Sequence, residues 1–392
     1  MLNFIYPDRD FDLTKFSTES SRVEDPFDEE YHRSLSWLLK KVDIPYKLNF
    51  FSDGISQDNK YYFPINFGNH GWDFLKNFTG WDIIRENENI SLLIYYAAES
   101  IIWSSYTGEK SWFFELVYYL CKNNIPYEKV KFICGDIDAK NNSKIKKGVF
   151  SKIDFLGINI FELIHHHNHK VAHLPKAITE KKEFLCLNNR MRYNRQYLLY
   201  YLKKYNIFKN GLVSALDWQV YTPSLTNHME IQINETSYLD FLDFSTKALN
   251  RKEKIKISTE KNINNVDYSY HEHYENTKYS LVTETFVGNF AGKFITEKTY
   301  KPITMGHPFI IFGPTGILKE LREDGYETFP EIFDESYDDF TTPAKQLEII
   351  LNNIKEPKII TKEILEKCER NKENFLKKST SKKIRNRLKE FL

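Results

Sequence analysis

The 392-residue chain is poor in cysteine, and its four thiols, Cys121, Cys134, Cys186 and Cys368, form no CxxC pair. That excludes a disulfide scaffold and a zinc ribbon, and leaves buried free thiols in a reducing compartment. No apolar run approaches the ~18 residues that a membrane span needs. The first ten residues, Met1 to Asp10, lack the basic and apolar regions of a secretory leader. A soluble cytoplasmic protein is the expectation, in a host cell if the source is viral, with no membrane partner. The net charge is only +1, so no global field draws the chain to nucleic acid. No Walker, GxSxG or GxGxxG pattern appears, and no internal repeat is visible.

The chain is too long for one ordinary core, so two domains are expected. Aromatic residues make up 16%, carried by 25 Tyr and 30 Phe, which suits a globular protein. Charge is unevenly spread. Residues 1–30 are acidic, as are 323–340, whereas the tail from Phe375 to Leu392 is basic. A second basic stretch runs through Lys140, Lys144, Lys146, Lys147 and Lys152.

Short apolar runs alternate with amphipathic stretches. Leu92–Tyr96 and Val130–Cys134 read as buried strands flanking a helix over Ser111–Cys121, a βαβ unit in a parallel sheet. The pattern restarts with a strand over Phe184–Leu187. A helix capped by Asn194 runs to about Asn206. Further strands are expected at Tyr279–Val282 and Pro308–Phe312, with helices starting near 296 and 317. The fold class is therefore α/β. Residues 1–180 and 181–360 form two Rossmann-like domains facing a central cleft. Residues 361–392 form a basic helix packing back on the first domain. Ligands in such sheets sit outside the carboxyl ends of the strands.

Three constellations lie at such ends. Asn189-Arg-Met-Arg-Tyr-Asn-Arg195 places three arginines between a strand and a helix start. Guanidinium forks match phosphate oxygens, and a helix N-terminus adds free N–H groups. A solvated basic loop is the plain alternative. In Thr296-Glu-Lys298, a threonine cap puts Glu297 and Lys298 in the first helical turn. The carboxylate can accept from ribose hydroxyls, and the lysine can neutralise a diphosphate. An ordinary cap with a first-turn Glu would look the same. Glu284 follows a strand and precedes a glycine-containing loop. It is placed either to touch a sugar or base, or to accept from loop N–H groups.

Metal ligands are dense but poorly arranged. His165, His166, His167, His169 and His173 reproduce no zinc signature, and no Cys or Glu completes one. Asp136-Ile-Asp138 is the nearest approach to a DxD motif. With Arg and Lys available for a diphosphate, no divalent ion is required and no metal site is expected. His271-Glu-His273 alternates as a strand would, though a polar loop is the plainer reading.

The second half resembles phage- and virus-encoded glycosyltransferases of the two-domain GT-B fold. The resemblance rests on Phe184-Leu-Cys-Leu-Asn-Asn-Arg-Met-Arg-Tyr-Asn-Arg195, Phe294-Ile-Thr-Glu-Lys-Thr-Tyr-Lys-Pro-Ile303, Gly306-His-Pro-Phe-Ile310 and Phe333-Asp-Glu-Ser-Tyr-Asp338. It covers roughly residues 184–350. The Thr-Glu-Lys segment also looks like the donor motif of α1,3-fucosyltransferases. The first motif ordinarily carries two adjacent arginines, and here Asn189 stands before Arg190.

The resemblance implies a UDP- or GDP-sugar as co-substrate and no other cofactor. On the matching positions, Arg190, Arg192 and Arg195 would contact phosphates, Glu297 the ribose and Lys298 the diphosphate. Glu284 would sit near the sugar or nucleotide. An inverting enzyme needs a base on the acceptor side, for which Glu99 comes first, Asp136 next, and Asp8 or Asp10 last. The acceptor implied is a hydroxyl, either on a surface glycan or on 5-hydroxymethylcytosine in phage DNA, with glucose or arabinose transferred. The lysines at 140–152 and the tail from Lys377 would line a DNA groove, and the acidic N-terminus opposes one. DNA ranks ahead of a glycan because the sequence looks viral and cytoplasmic. A non-catalytic nucleotide-binding module and a histidine-based metal hydrolase are the other classes.

Overall fold

A computed structural model describes residues 1–7, 27, 34–66, 78, 80–97, 100, 112–141, 148–168, 181–218, 235–252, 254–255, 271–289 and 292–392. The candidate bases Glu99, Asp8 and Asp10 lie outside the described residues. So do Lys144, Lys146, Lys147, His169 and His173. The chain divides into two compact units, 1–163 with 379–392, and 164–378. The sequence suggested junctions near 180 and 360.

The first unit is built on six parallel strands: β1 (Leu2–Tyr6), β2 (Tyr46–Phe50), β3 (Tyr61–Asn66), β4 (Ile90–Tyr96), β5 (Val130–Cys134) and β6 (Asp154–Gly157), in the order β2-β1-β3-β4-β5-β6. The central β4 reads Ile-Ser-Leu-Leu-Ile-Tyr-Tyr, a near-continuous apolar run of the kind that a two-sided buried parallel strand requires. Helices α1 (Leu35–Lys41), α2 (Trp81–Glu86) and α3 (Trp112–Lys122) lie along this half of the chain. One glycine is forced. A Cβ at Gly157 would stand 1.8 Å from the Asp136 carbonyl oxygen, so the β5 and β6 ends close together only without a side chain.

Helix α4 (Ile160–Asn168) leads into the second unit. Its main sheet is also parallel. It contains β7 (Lys182–Cys186), β9 (Gly211–Val213), β11 (Thr277–Gly288) and β12 (Phe309–Pro314), in the order β12-β11-β7-β9. Two short strands, β8 (Arg190–Met191) and β10 (Asp217–Trp218), pair separately. The helices are α5 (Tyr193–Lys204), α6 (Glu235–Asn250), α7 (His271–Glu275), α8 (Glu297–Thr304), α9 (Ile317–Glu323), α10 (Pro343–Lys355) and α11 (Lys362–Lys377). Both units are thus α/β with parallel sheets. No described helix is long and apolar enough to cross a membrane.

The C-terminal segment is two helices rather than one. α11 ends at Lys377, and α12 (Thr380–Phe391) belongs to the first unit. Its Ile384 and Leu388, one turn apart, are buried, while Arg385 donates to the Val42 carbonyl and pairs with Asp43 at 3.0 Å. Lys382, Lys383 and Lys389 stay exposed.

Candidate functional site

The second unit holds a shallow cleft that opens to solvent. Leu185, Leu187, Tyr274, Leu281 and Val282 supply apolar wall, and Arg195, Glu297, Lys298 and Lys301 supply charge. The strand β7, the loop after it, β11 and the first turns of α8 converge there.

Helix α8 begins where a capping residue would start it. Thr296 is extended at φ −114° and ψ 179°, and its hydroxyl accepts from the Lys298 amide at 3.4 Å. The helix is short. Gly306, at φ +62°, ends it in the left-handed conformation and turns the chain into β12. Glu297 and Lys298 thereby fall in the first turn, and Lys301 lies one turn beyond Glu297 on the same face.

These charges act on one another. Lys298 Nζ donates to Glu297 Oε1 at 2.8 Å and to Thr296 Oγ1 at 3.1 Å. Burial would raise the Glu297 carboxyl, but the charges of Lys298 and Lys301 outweigh it and hold it well below the ordinary carboxylate range. The Lys301 ammonium is pushed down by burial, with Glu297 opposing the shift and Lys298 adding to it. Among the described residues, Lys301 Nζ has neither a hydrogen bond nor an ion pair within 4 Å. Lys301 was not singled out from sequence. Its i+4 spacing from Glu297 was the signal that marks it.

Of the three arginines, only Arg195 lines the cleft, and it is 4% exposed. Its guanidinium also holds the backbone, with Nη1 donating to Arg190 O at 2.7 Å and Nη2 to Thr283 O at 3.2 Å. Arg190 is exposed on β8. Arg192 is the N-cap residue of α5 and lies 6.0 Å over the Phe286 ring. Asn194, expected as that cap, is inside the helix. Its Nδ2 donates to the Glu284 carbonyl at 3.0 Å.

Glu284 occupies a different place from the one expected of a ligand contact. It is fully buried and does not line the cleft. Oε1 accepts from Thr296 N at 3.1 Å and Thr299 Oγ1 at 2.6 Å, and Oε2 from Thr296 Oγ1 at 2.7 Å and Thr285 N at 3.1 Å. Four donors occupy both oxygens, so the carboxylate serves the start of α8.

Asp136 is fully buried at the end of β5, where Ser100 Oγ donates to Oδ1 at 2.7 Å. That burial fits a structural acceptor better than a solvent-accessible base. His165 is also a core residue. Its Nε2 lies 3.1 Å from Thr304 Oγ1 and its ring packs on Phe375. Among the described residues, no group of three or more His, Cys, Asp or Glu could hold a metal ion. His271–His273 lies on helix α7 rather than on a strand or in a loop. The Phe333–Asp338 segment is structural. Asp338 accepts from the Leu318 and Lys319 amides at the start of α9, and Tyr337 OH accepts from Ile311 N at 3.1 Å.

No protein-family model and no curated protein matches this sequence. Among solved structures, the chain is similar to the N-terminal domain of Candida albicans trehalose-6-phosphate phosphatase. The identity is 10%, the TM-score 0.42, and the match spans 92% of this chain and 73% of that one. A likeness of that size carries no functional weight.

Proposed function

We propose that the protein is a glycosyltransferase of GT-B type whose second unit binds a nucleotide sugar. The observation that carries this reading is the charge of one cleft wall. Arg195, Lys298 and Lys301 outnumber Glu297 by three to one around a strand-end cleft. A diphosphate ester carries two negative charges, which that excess of two cations matches. The apolar wall at Leu185, Leu187 and Tyr274 suits a nucleobase, and Glu297 suits ribose hydroxyls.

In the proposed reaction the acceptor oxygen forms a bond to the anomeric carbon. The bond from that carbon to the diphosphate oxygen breaks, and the nucleoside diphosphate leaves with the electron pair. The acceptor proton passes to a base, for which Glu99, following β4, is the candidate. Fixed cations beside the leaving group stabilise the charge that develops on it. With three of them present, no divalent ion is required. We propose 5-hydroxymethylcytosine in duplex DNA as the acceptor, met through the exposed lysines of α12, ahead of a glycan.

The test is incubation with UDP- and GDP-sugars, with and without hydroxymethylcytosine DNA, followed by mass analysis of donor and DNA. A sugar-sized mass gain on the DNA supports the full reading. Donor hydrolysis without DNA modification supports the transferase and moves the acceptor to a glycan. Donor binding with no turnover supports a non-catalytic module.

A further inference from the structure

We propose that Glu284 is a positioning residue that fixes the Lys298 ammonium at the cleft wall through the Thr296 hydroxyl. Three bonds make the relay: Glu284 Oε2 to Thr296 Oγ1 at 2.7 Å, Thr296 Oγ1 to Lys298 Nζ at 3.1 Å, and Lys298 Nζ to Glu297 Oε1 at 2.8 Å.

Donor counting gives the relay its direction. A carboxylate only accepts, and a hydroxyl has one proton and two lone pairs. Both Glu284 oxygens already receive backbone or threonine donors, so the single Thr296 proton points to Glu284. The two Thr296 lone pairs are then left for Lys298, one for its amide at 3.4 Å and one for its ammonium at 3.1 Å. The hydroxyl is saturated in one orientation only. Lys298 Nζ has three N–H groups, of which Thr296 and Glu297 take two. The third remains for a ligand at the cleft that Lys298 lines.

An amide in place of Glu284 would undo this. Each oxygen takes one backbone N–H and one threonine hydroxyl, so a Gln NH₂ in either position would face two of the four donors. At the Oε2 position it would force the Thr296 hydroxyl to accept and to turn its proton toward the ammonium, and at the Oε1 position it would oppose the Thr296 N–H and push that residue away. The geometry therefore requires a carboxylate at position 284, and a side chain of similar shape does not suffice. Thr299 provides an internal control, because its hydroxyl donates to Glu284 Oε1 at 2.6 Å and makes no hydrogen bond to the Lys298 ammonium.

The relay stands without a ligand, while its consequence for diphosphate binding rests on the donor-site reading above. The test is therefore ¹⁵N NMR of the Lys298 ammonium, assigned by its loss in Lys298→Arg, in the ligand-free full-length protein. A signal protected from solvent exchange is expected in the wild type, Thr296→Ser and Thr299→Val, and is expected to be lost in Thr296→Val and in Glu284→Gln. The two loss variants change different residues, so a folded Glu284→Gln decides the matter if Thr296→Val does not fold. An unprotected wild-type signal overturns the relay. So does equal protection in Thr296→Val, or a loss in Thr299→Val as large as in Thr296→Val.

Binding of UDP and GDP supplies the second arm. Thr296→Val is expected to weaken it about tenfold in the wild-type background and to have no further effect in Lys298→Met. Equal weakening in both backgrounds would mean that Thr296 acts independently of Lys298. Absence of nucleotide binding in the wild type would overturn the donor reading and leave the relay to the NMR result.

Discussion

Arg195 reaches across from α5 to the middle of β11, where its Nη2 donates to the Thr283 carbonyl at 3.2 Å. The same guanidinium holds Arg190 O at 2.7 Å. It therefore joins the helix, the β8 loop and the sheet on one side of the cleft. Hydrogen bonds from a charged donor contribute ~1.5–3 kcal/mol each, and a buried carbonyl left unpaired adds to the loss. Arg195→Met is expected to lower unfolding free energy by about 3 kcal/mol in urea titration and to weaken nucleotide binding as well. A loss of binding at unchanged stability would assign Arg195 to the ligand alone.

His307 gives the second unit an acid limit. It is buried, its Nε2 donates to Thr277 O at 3.0 Å, and its Nδ1 accepts from Ser280 Oγ at 2.9 Å. Burial lowers its pKa from 6.5 to about 4. The unfolded chain therefore binds a proton that the folded one refuses between these values, and stability falls as pH drops from 6.5 to 4. One pKa unit is ~1.4 kcal/mol, so the loss is on the order of 3 kcal/mol. It is already complete below pH 4. Urea titrations at pH 7, 5.5 and 4 are expected to show it, and His307→Asn is expected to flatten that slope from a lower starting stability.

Much of the fold was legible because local signals agreed. Leu92–Tyr96 and Val130–Cys134 are short apolar runs bounded by turn residues and lie in strands, and Phe184–Leu187 lies in β7 as far as Cys186. Thr296 was legible as a cap from its place before a polar first turn. Asn194 was not excluded as a cap, because its type fits equally well inside the helix when a carbonyl such as Glu284 O lies across from it. Three of the four donors to Glu284 come from Thr296 and Thr299, 12 and 15 residues away, so no local pattern separates a ligand carboxylate from a helix-start acceptor. The break between α11 and α12 falls at Lys378-Ser379, where a Ser-Thr-Ser run between two lysine pairs was a capping signal that the overall basic charge of the tail masked.

Lys298 and Lys301 divide the cationic wall differently. Lys298 is held by Thr296 and Glu297, whereas Lys301 has no such partner among the described residues. A phosphate beside Lys301 relieves a depressed ammonium, so nucleotide binding is expected to raise its titration point. Lys301→Met and Lys298→Met are each expected to weaken UDP or GDP binding ~10–100-fold, as the loss of one charge-assisted bond implies. Calorimetry in a buffer series would show the linked proton uptake at alkaline pH in the wild type and none in Lys301→Met.

Gly288 is a tight spot beside the cleft elements. Its φ is +61°, and a Cβ would meet the Thr341 carbonyl at 2.5 Å and the Pro343 ring at 2.8 Å. Its amide donates to Gln346 Oε1 at 2.9 Å, so the backbone has no room to shift. Gly288→Ala is expected to cost about 2 kcal/mol or more by thermal or urea unfolding. A change below ~0.5 kcal/mol would mean that α10 moves aside without penalty.

The exposed lysines of α12 separate the two acceptors. Arg385 is engaged with Val42 and Asp43, so charge reversal there would confound folding with binding. Lys382 and Lys389 are the suitable positions. Their replacement by Glu is expected to weaken duplex retention and to flatten its salt dependence. Unchanged retention would favour a glycan.

The donor site is tested most directly by isothermal titration of the wild type and Lys298→Met with UDP, GDP and their sugars. Micromolar-to-millimolar binding of at least one diphosphate by the wild type, lost or weakened at least tenfold in Lys298→Met with the fold intact, is the expected result. Absence of binding in the wild type at millimolar nucleotide, or equal affinity in both proteins, would contradict it.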